Sequence, residues 1–123
     1  MALGIGAANF NYLASPEAFF THEYGNGPVP AIASGFGTNP AIAGYDRSGR
    51  LTVGRGGTAS TGVITWGTAY QANRTGVNCA VRDKTTPSLN ASLDWVETKS
   101  TLTITSAAPF GAGDVLAWVC VGY

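Results

Sequence analysis

Charged side chains are scarce in this chain. They make up 11% of the residues, less than half of the roughly 25% found in average soluble domains. The seven basic and seven acidic residues cancel, so no basic stripe is available to neutralise the phosphates of a polyanion. We therefore expect no nucleic-acid partner.

Histidine and the common catalytic motifs are also almost missing. The one histidine, His22, has no second histidine or paired cysteine at metal-ligand spacing. No Gly-x-Ser-x-Gly nucleophile motif occurs. A small glycan hydrolase, the enzymatic alternative, would need two facing carboxylates, and the sequence selects no such pair. We expect no catalytic residue, no metal site and no cofactor, and hence a protein that is not an enzyme.

Cysteine and long apolar runs are equally limited. Cys79 and Cys120 are the only cysteines, too few for a disulfide framework. Both lie in apolar alternating segments, so we expect two buried thiols, with one disulfide bond between them as the alternative. No run approaches the roughly 18 apolar residues of a membrane helix, and the N-terminus lacks the basic start of a signal peptide. We expect no membrane insertion.

Short alternating runs separated by turn residues are what the chain has in abundance from residue 41 onward. Their spacing of about ten residues is typical of a β-sandwich or barrel and leaves little room for helices. We therefore predict an all-β, jelly-roll-like antiparallel β-sandwich over residues 41–123. The predicted strands cover residues 41–45, 50–53, 62–70, 78–83, 92–97, 101–105 and 114–122.

The last predicted strand is apolar on both faces. Such a strand is either central in a two-layer structure or buried at a subunit interface. Alternation assigns Val115, Ala117, Val119 and Val121 to the inward face.

Residues 1–40 have a different texture, with four prolines and no alternation. We predict an irregular N-terminal arm or anchor segment that wraps around the domain or a partner. Its apolar aromatic residues, Phe10, Phe19 and Phe20, are the candidates for docking on another protein.

Aromatic residues near strand ends are the remaining candidates for ligand binding. Sugar rings pack their C–H faces against exposed aromatic rings. Tyr70, Arg74 and Trp95 are the residues that we predict to contact a glycan. The alternative is that the tryptophans fill the core or a subunit interface.

Five stretches of the chain resemble a C-terminal module found at the ends of bacteriophage tail fibres and tailspikes. Together they span about two-thirds of the chain, and they occur in the same order and at similar spacing. The stretches are residues 41–54, 63–70, 77–79, 100–104 and 113–123. The resemblance implies a jelly-roll-like β-sandwich that forms a trimer on the virion exterior and contacts glycans of the host surface.

The resemblance therefore implies a bacteriophage virion structural protein, acting as a distal tail-fibre or tailspike module in trimerisation and host-surface attachment. We expect a homotrimer with other virion proteins and a host cell-surface glycan as partners, assembled in the host cytoplasm. Only about 40 residues precede the module here, whereas in such fibres it follows a long shaft. A capsid decoration protein, which stabilises the phage head, is the alternative.

Overall fold

The computed structural model describes residues 27–68 and 74–123, which fold into eight β-strands and one short 3-10 helix. The strands pair into two four-stranded antiparallel sheets. The predicted all-β antiparallel sandwich is thus confirmed. The strands are β1 (Ala31–Gly35), β2 (Ala41–Gly44), β3 (Ser48–Thr52), β4 (Thr61–Thr65), β5 (Val77–Asp83), β6 (Leu93–Glu97), β7 (Thr101–Ser106) and β8 (Val115–Gly122), and the 3-10 helix is Pro87–Ser92.

Each sheet combines strands from both halves of the sequence. The first sheet has the order β1-β4-β7-β6 and the second the order β2-β3-β8-β5. The hairpin between β6 and β7 forms because the Thr98 hydroxyl accepts hydrogen bonds from the N–H groups of Ser100 and Thr101, at 3.2 and 2.9 Å. The C-terminal strand β8 is central, with β3 on one side and β5 on the other.

Alternate residues of both sheets fill one hydrophobic core between them. Fully burying a large apolar side chain contributes about 1.5–3 kcal/mol, so this core supplies most of the driving force for folding. Period-two alternation in the sequence correctly predicted that many of these residues face the core. The buried hydrophobic residues are Phe36, Leu51, Val53, Ile64, Trp66, Val77, Val81, Leu102, Ile104, Phe110, Leu116, Trp118 and Cys120.

The sandwich begins earlier than the predicted boundary at residue 41. Residues 31–40 were assigned to the irregular arm, but β1 pairs with β4 over its length, and Phe36, just after β1, is completely buried. The short strand was missed because a bulge interrupts its pairing between Ile32 and Ser34, so its residues do not alternate regularly. The rest of the predicted arm, residues 1–26, lies outside the described residues, as do Phe10, Phe19 and Phe20.

The predicted inward face of β8 is wrong. The structure buries Leu116, Trp118 and Cys120 and leaves Val119 and Val121 about 60% exposed. Both faces of the strand are apolar, so alternation alone could not choose between them. The register with β3 decides, because Leu51 of β3 lies opposite Leu116.

Strand β4 ends at Thr65, five residues before its predicted end. Trp66 remains buried, and the chain then bends because the N–H groups of Gly67 and Thr68 donate to the Asp46 carboxylate at 2.8 and 3.1 Å. Asp46 itself is buried in the turn between β2 and β3. It therefore ties the end of β4 to the second sheet.

Cys79 and Cys120 form a disulfide bond, so the preferred prediction of two free thiols is wrong and its alternative is right. The two residues are directly opposite each other on β5 and β8. The N–H of Cys120 donates to the Arg47 carbonyl oxygen on the other side of β8, at 2.8 Å. The pair is therefore of the non-hydrogen-bonded type, in which facing side chains are closest. The sequence alone does not show that the strands carrying the two cysteines are adjacent, because that depends on the topology of the sheet.

Candidate functional site

The predicted glycan-contacting residues do not form one site in the described part of the chain. Tyr70 lies outside the described residues. Arg74 is exposed and precedes Thr75, whose N–H donates to the Tyr123 carbonyl oxygen. Arg74 thus lies beside the C-terminal end of β8. Trp95 lies on β6, at the edge of the other sheet.

The Trp95 indole is engaged in holding the two sheets together. Its ring is half-buried and packs against the core, and its Nε1–H donates to the Cys79 carbonyl oxygen at 2.9 Å. Glu97, two residues further along β6, accepts from the Cys79 N–H at 3.3 Å. These two side chains satisfy backbone groups on the free edge of β5, which protects that edge from pairing with other chains.

The outer face of the second sheet carries a row of alternating alanines and arginines. Ala43, Arg50, Ala117 and Arg82 are successive cross-strand neighbours on β2, β3, β8 and β5. The residues before and after Arg50 and Arg82 point toward the interior side of their strands. Strands lie about 4.8 Å apart, so about 10 Å separates the backbones of the two arginines, and only an alanine methyl group lies between them.

Lys84 extends this row into a cationic cluster, which we define as Arg50, Arg82 and Lys84. The backbone N–H of Lys84 donates to the Val115 carbonyl oxygen at 2.8 Å. This hydrogen bond places Lys84 one row beyond Arg82. Three of the chain's seven basic residues are therefore gathered here. Among the residues that the structure describes, no carboxylate pairs with any of the three.

Two shallow depressions flank Ala117 on this face. The larger has a volume of about 730 Å³, and the smaller, of about 290 Å³, lies on the β5 side. Both have an apolar floor and a cationic rim, since Ala117, Val119 and Lys84 line both of them. Tyr45 is among the residues that line the larger depression.

Trp118 lies beneath the floor of the larger depression and is held there by hydrogen bonds. The indole Nε1–H donates to the carbonyl oxygens of Tyr45 and Asp46, at 3.3 and 3.1 Å. A Cβ atom at Gly49 would come within 2.4 Å of the Trp118 ring. Glycine at this position therefore lets β3 lie on the indole.

A buried carboxylate holds the loop that presents Lys84. Asp83 is completely buried, and its Oδ1 accepts from the N–H groups of Thr85 and Thr86, at 2.9 and 2.7 Å. The Thr85 hydroxyl in turn accepts from the Val115 N–H at 2.9 Å. The loop is therefore fixed to both β5 and β8.

Asp83 also faces a second buried carboxyl group, that of Asp114. Burial raises the pKa of Asp83 above its ordinary value, and the neighbouring Asp114 acts in the same direction, while the amide donors of Thr86 and Thr85 oppose it. Asp83 Oδ2 is buried with no hydrogen-bond partner, and two ionised carboxylates cannot hydrogen-bond to each other. A proton on Asp83 would let its carboxyl group donate a hydrogen bond to Asp114.

The two aspartates do not have the arrangement of glycosidase carboxylates. Those lie roughly 5 Å or more apart on either side of an open substrate site, whereas Asp83 and Asp114 are in direct contact and 0% and 4% exposed. Their contacts position the loop that begins at Lys84 and the turn before β8, where the Gly111 N–H donates to Asp114 at 3.1 Å.

The raised pKa of Asp83 predicts a stability that falls as the pH rises. The folded state holds this proton more tightly than the unfolded state, so the stabilisation is complete below the unfolded pKa of about 3.9 and is lost as the pH rises through the folded pKa. The slope for one proton is at most about 1.4 kcal/mol per pH unit. Urea unfolding at a series of pH values measures it.

The substitution Asp83→Asn tests whether the proton held by Asp83 causes this pH dependence of stability. The Asn amide can donate to Asp114 at every pH and still accept from Thr85 and Thr86, so this variant should gain stability over wild type as the pH rises from 4 to 7. Asp94→Asn, at an exposed carboxylate, is the matched control and should show no such gain. A constant difference between Asp83→Asn and wild type across the pH range would contradict the assignment.

A second feature of the same face is an apolar stripe, which we define as Val119, Val121 and Tyr123. Val119 and Val121 occupy successive outward positions of β8, and Tyr123 follows directly after the strand; the three residues are 58%, 60% and 56% exposed. The cross-strand neighbours of Val119, Ser48 and Ala80, are small, and Val121 lies opposite Asn78. No large apolar side chain of an adjacent strand therefore lies opposite either valine.

No family model, curated protein or solved structure matches this chain. The described residues contain no helix that is long and apolar enough to cross a membrane. They also contain no group of three or more potential metal ligands.

The site was only partly visible in the sequence. Period-two alternation in residues 50–53 and 78–83 would have placed Arg50 and Arg82 on outward faces. Their common row depends on both strands pairing with β8, and no local signal reports that pairing.

Proposed function

We propose that this protein is a bacteriophage virion structural protein, a distal tail-fibre or tailspike module that forms a trimer and attaches to glycans of the host surface. We further propose that it has no enzymatic activity and needs no cofactor. The resemblance of five stretches of sequence to such modules suggested this role, and the apolar stripe on β8 is the structural observation that supports it best.

The stripe supports self-association for two reasons. Exposed apolar patches on soluble proteins mark interaction surfaces, and burying three large side chains contributes a few kcal/mol. The chain also has a formal net charge of zero, which gives copies little electrostatic repulsion. Strand β8 is apolar on both faces. In this proposal one face packs in the core and the other packs between subunits.

The disulfide bond supports a location on the virion exterior. Disulfide bonds persist in oxidising surroundings such as virion surfaces and are rare in the reducing cytosol. Assembly in the host cytoplasm with closure of the bond after release is consistent with this chemistry.

Light scattering coupled to size-exclusion chromatography tests the trimer. We expect a trimer for the wild-type chain and a monomer for Val119→Asp and Val121→Asp, because a charge in a dry interface is costly. Val96→Asp is the matched control, since Val96 is 63% exposed on the other sheet, and it should remain trimeric. A wild-type monomer, or dissociation caused equally by Val96→Asp, would refute self-association through the stripe.

Attachment is tested with the fluorescently labelled chain on a panel of bacteria. Binding that disappears after periodate oxidation of the cell-surface sugars is the expected result. A trimer that binds none of the cells would favour the alternative, a capsid decoration protein.

A further inference from the structure

We propose that the cationic cluster on the outer face of the second sheet is the glycan site, and that its ligand is a polysaccharide carrying carboxylate groups. This inference rests on the proposed function and adds to it the site and the chemical class of the glycan. It also moves the site away from Trp95, whose indole N–H is bound to the Cys79 carbonyl oxygen.

The charge of the cluster selects an anion. Arg50 and Arg82 lie on either side of Ala117, and Lys84 follows in the next row. Like charges at this spacing repel, although weakly in water. Within the described parts of the chain no carboxylate neutralises them, so a ligand that brings its own carboxylates is stabilised there. The guanidinium fork of arginine matches a carboxylate with two parallel hydrogen bonds.

The shape of the surface selects a chain of sugar rings. The floor of the larger depression includes the small apolar side chains of Ala43 and Ala117, on either side of Arg50, against which the C–H faces of sugars can lie. Tyr45, a half-buried aromatic residue, also lines the larger depression. The depressions are open and run across the strands on both sides of Ala117, which suits an extended polymer better than a compact metabolite.

The spacing of the arginines favours a repeating ligand. About 10 Å separates their backbones across two strand spacings. A polyuronate presents carboxylates at regular intervals along one chain, so a single molecule can reach both guanidinium groups while its rings cover the alanine floor.

Isothermal titration of the full chain with oligogalacturonate tests the proposal. We expect binding to wild type and no binding of fully methyl-esterified oligogalacturonate, which has the same backbone without charge. Arg50→Gln and Arg82→Gln should each weaken binding about tenfold, as loss of a charge-assisted hydrogen bond does. Arg55→Gln removes the same charge from an exposed position outside the row and should bind like wild type.

Three results would overturn the proposal. One is no binding of oligogalacturonate by a chain that is folded and trimeric. Another is equal weakening by Arg55→Gln and Arg50→Gln, which would mean unspecific attraction. The third is equally strong binding of poly-glutamate, which would make the ligand an acidic protein segment. Trimerisation and periodate-sensitive attachment test the proposed function separately, so a failure confined to the titration counts against the cationic cluster alone.

Discussion

Removing the Cys79–Cys120 disulfide bond is expected to lower the free energy of unfolding by about 2–4 kcal/mol. The bond joins residues 41 positions apart in the chain, and the entropy that such a cross-link takes from the unfolded state corresponds to about 4 kcal/mol. Typical domains have only about 5–15 kcal/mol in total. The loss would therefore reach a large part of the stability of this sandwich.

The bond matters more here because of where it lies. Within residues 27–68 and 74–123, β5 is an edge strand of the second sheet, with β8 as its one neighbour there. The bond fixes the register of these two strands at the centre of their pairing, between Arg82 at one end of the cationic row and the apolar stripe at the other end of β8. Reduction should thus loosen both proposed surfaces.

Urea unfolding with and without a reductant measures the effect, with Cys79→Ala/Cys120→Ala as the matched variant. The variant should match the reduced wild type and should not respond to reductant. Equal unfolding midpoints for oxidised and reduced wild type would show that the bond contributes nothing to stability.

Phe36→Ala is the second substitution from which we expect a large effect, a loss of about 3–5 kcal/mol as is usual for a buried phenylalanine. Phe36 is 0% exposed. Its ring packs near Phe110, with the ring centroids 6.3 Å apart, and lies over Gly62, where any Cβ atom would come within 2.4 Å of it. Cavity formation in such a well-filled place is costly.

The backbone at Phe36 is held as firmly as the ring. Its φ is 65°, an uncommon conformation for a residue with a side chain. Its N–H donates to the Thr61 carbonyl oxygen at 3.2 Å, and its own carbonyl oxygen accepts from the Gly54 N–H at 2.8 Å. The segment between β1 and β2 is thus an integral part of the sandwich.

Chemical denaturation checks this prediction, with Val29→Ala as the control, because Val29 lies just before β1 but is 60% exposed. That control should change stability by less than about 0.5 kcal/mol. A chain beginning at residue 41 should fail to fold, since it lacks both β1 and Phe36. Cooperative unfolding of such a truncated chain would restore the boundary predicted from the sequence.

The sequence by itself determined the fold class and most of the strands. Alternation over residues 101–105 and 50–53 placed Leu51, Leu102 and Ile104 in the core, because the pleat of a strand sends every second side chain to the same face. Turn residues such as those at 46–49 marked the hairpin between β2 and β3. These signals are local, so they need no knowledge of which strands are neighbours.

Only the tertiary structure decided the features on which the proposals rest. The inward face of β8 depends on its register with β3, since both faces are apolar. The disulfide bond and the row of Arg50, Ala117 and Arg82 depend on β8 lying between β3 and β5. The residues that are paired in that row lie 35 to 67 positions apart in the chain. Their pairing follows from how the two whole sheets pack, and no neighbouring residues in the sequence determine it.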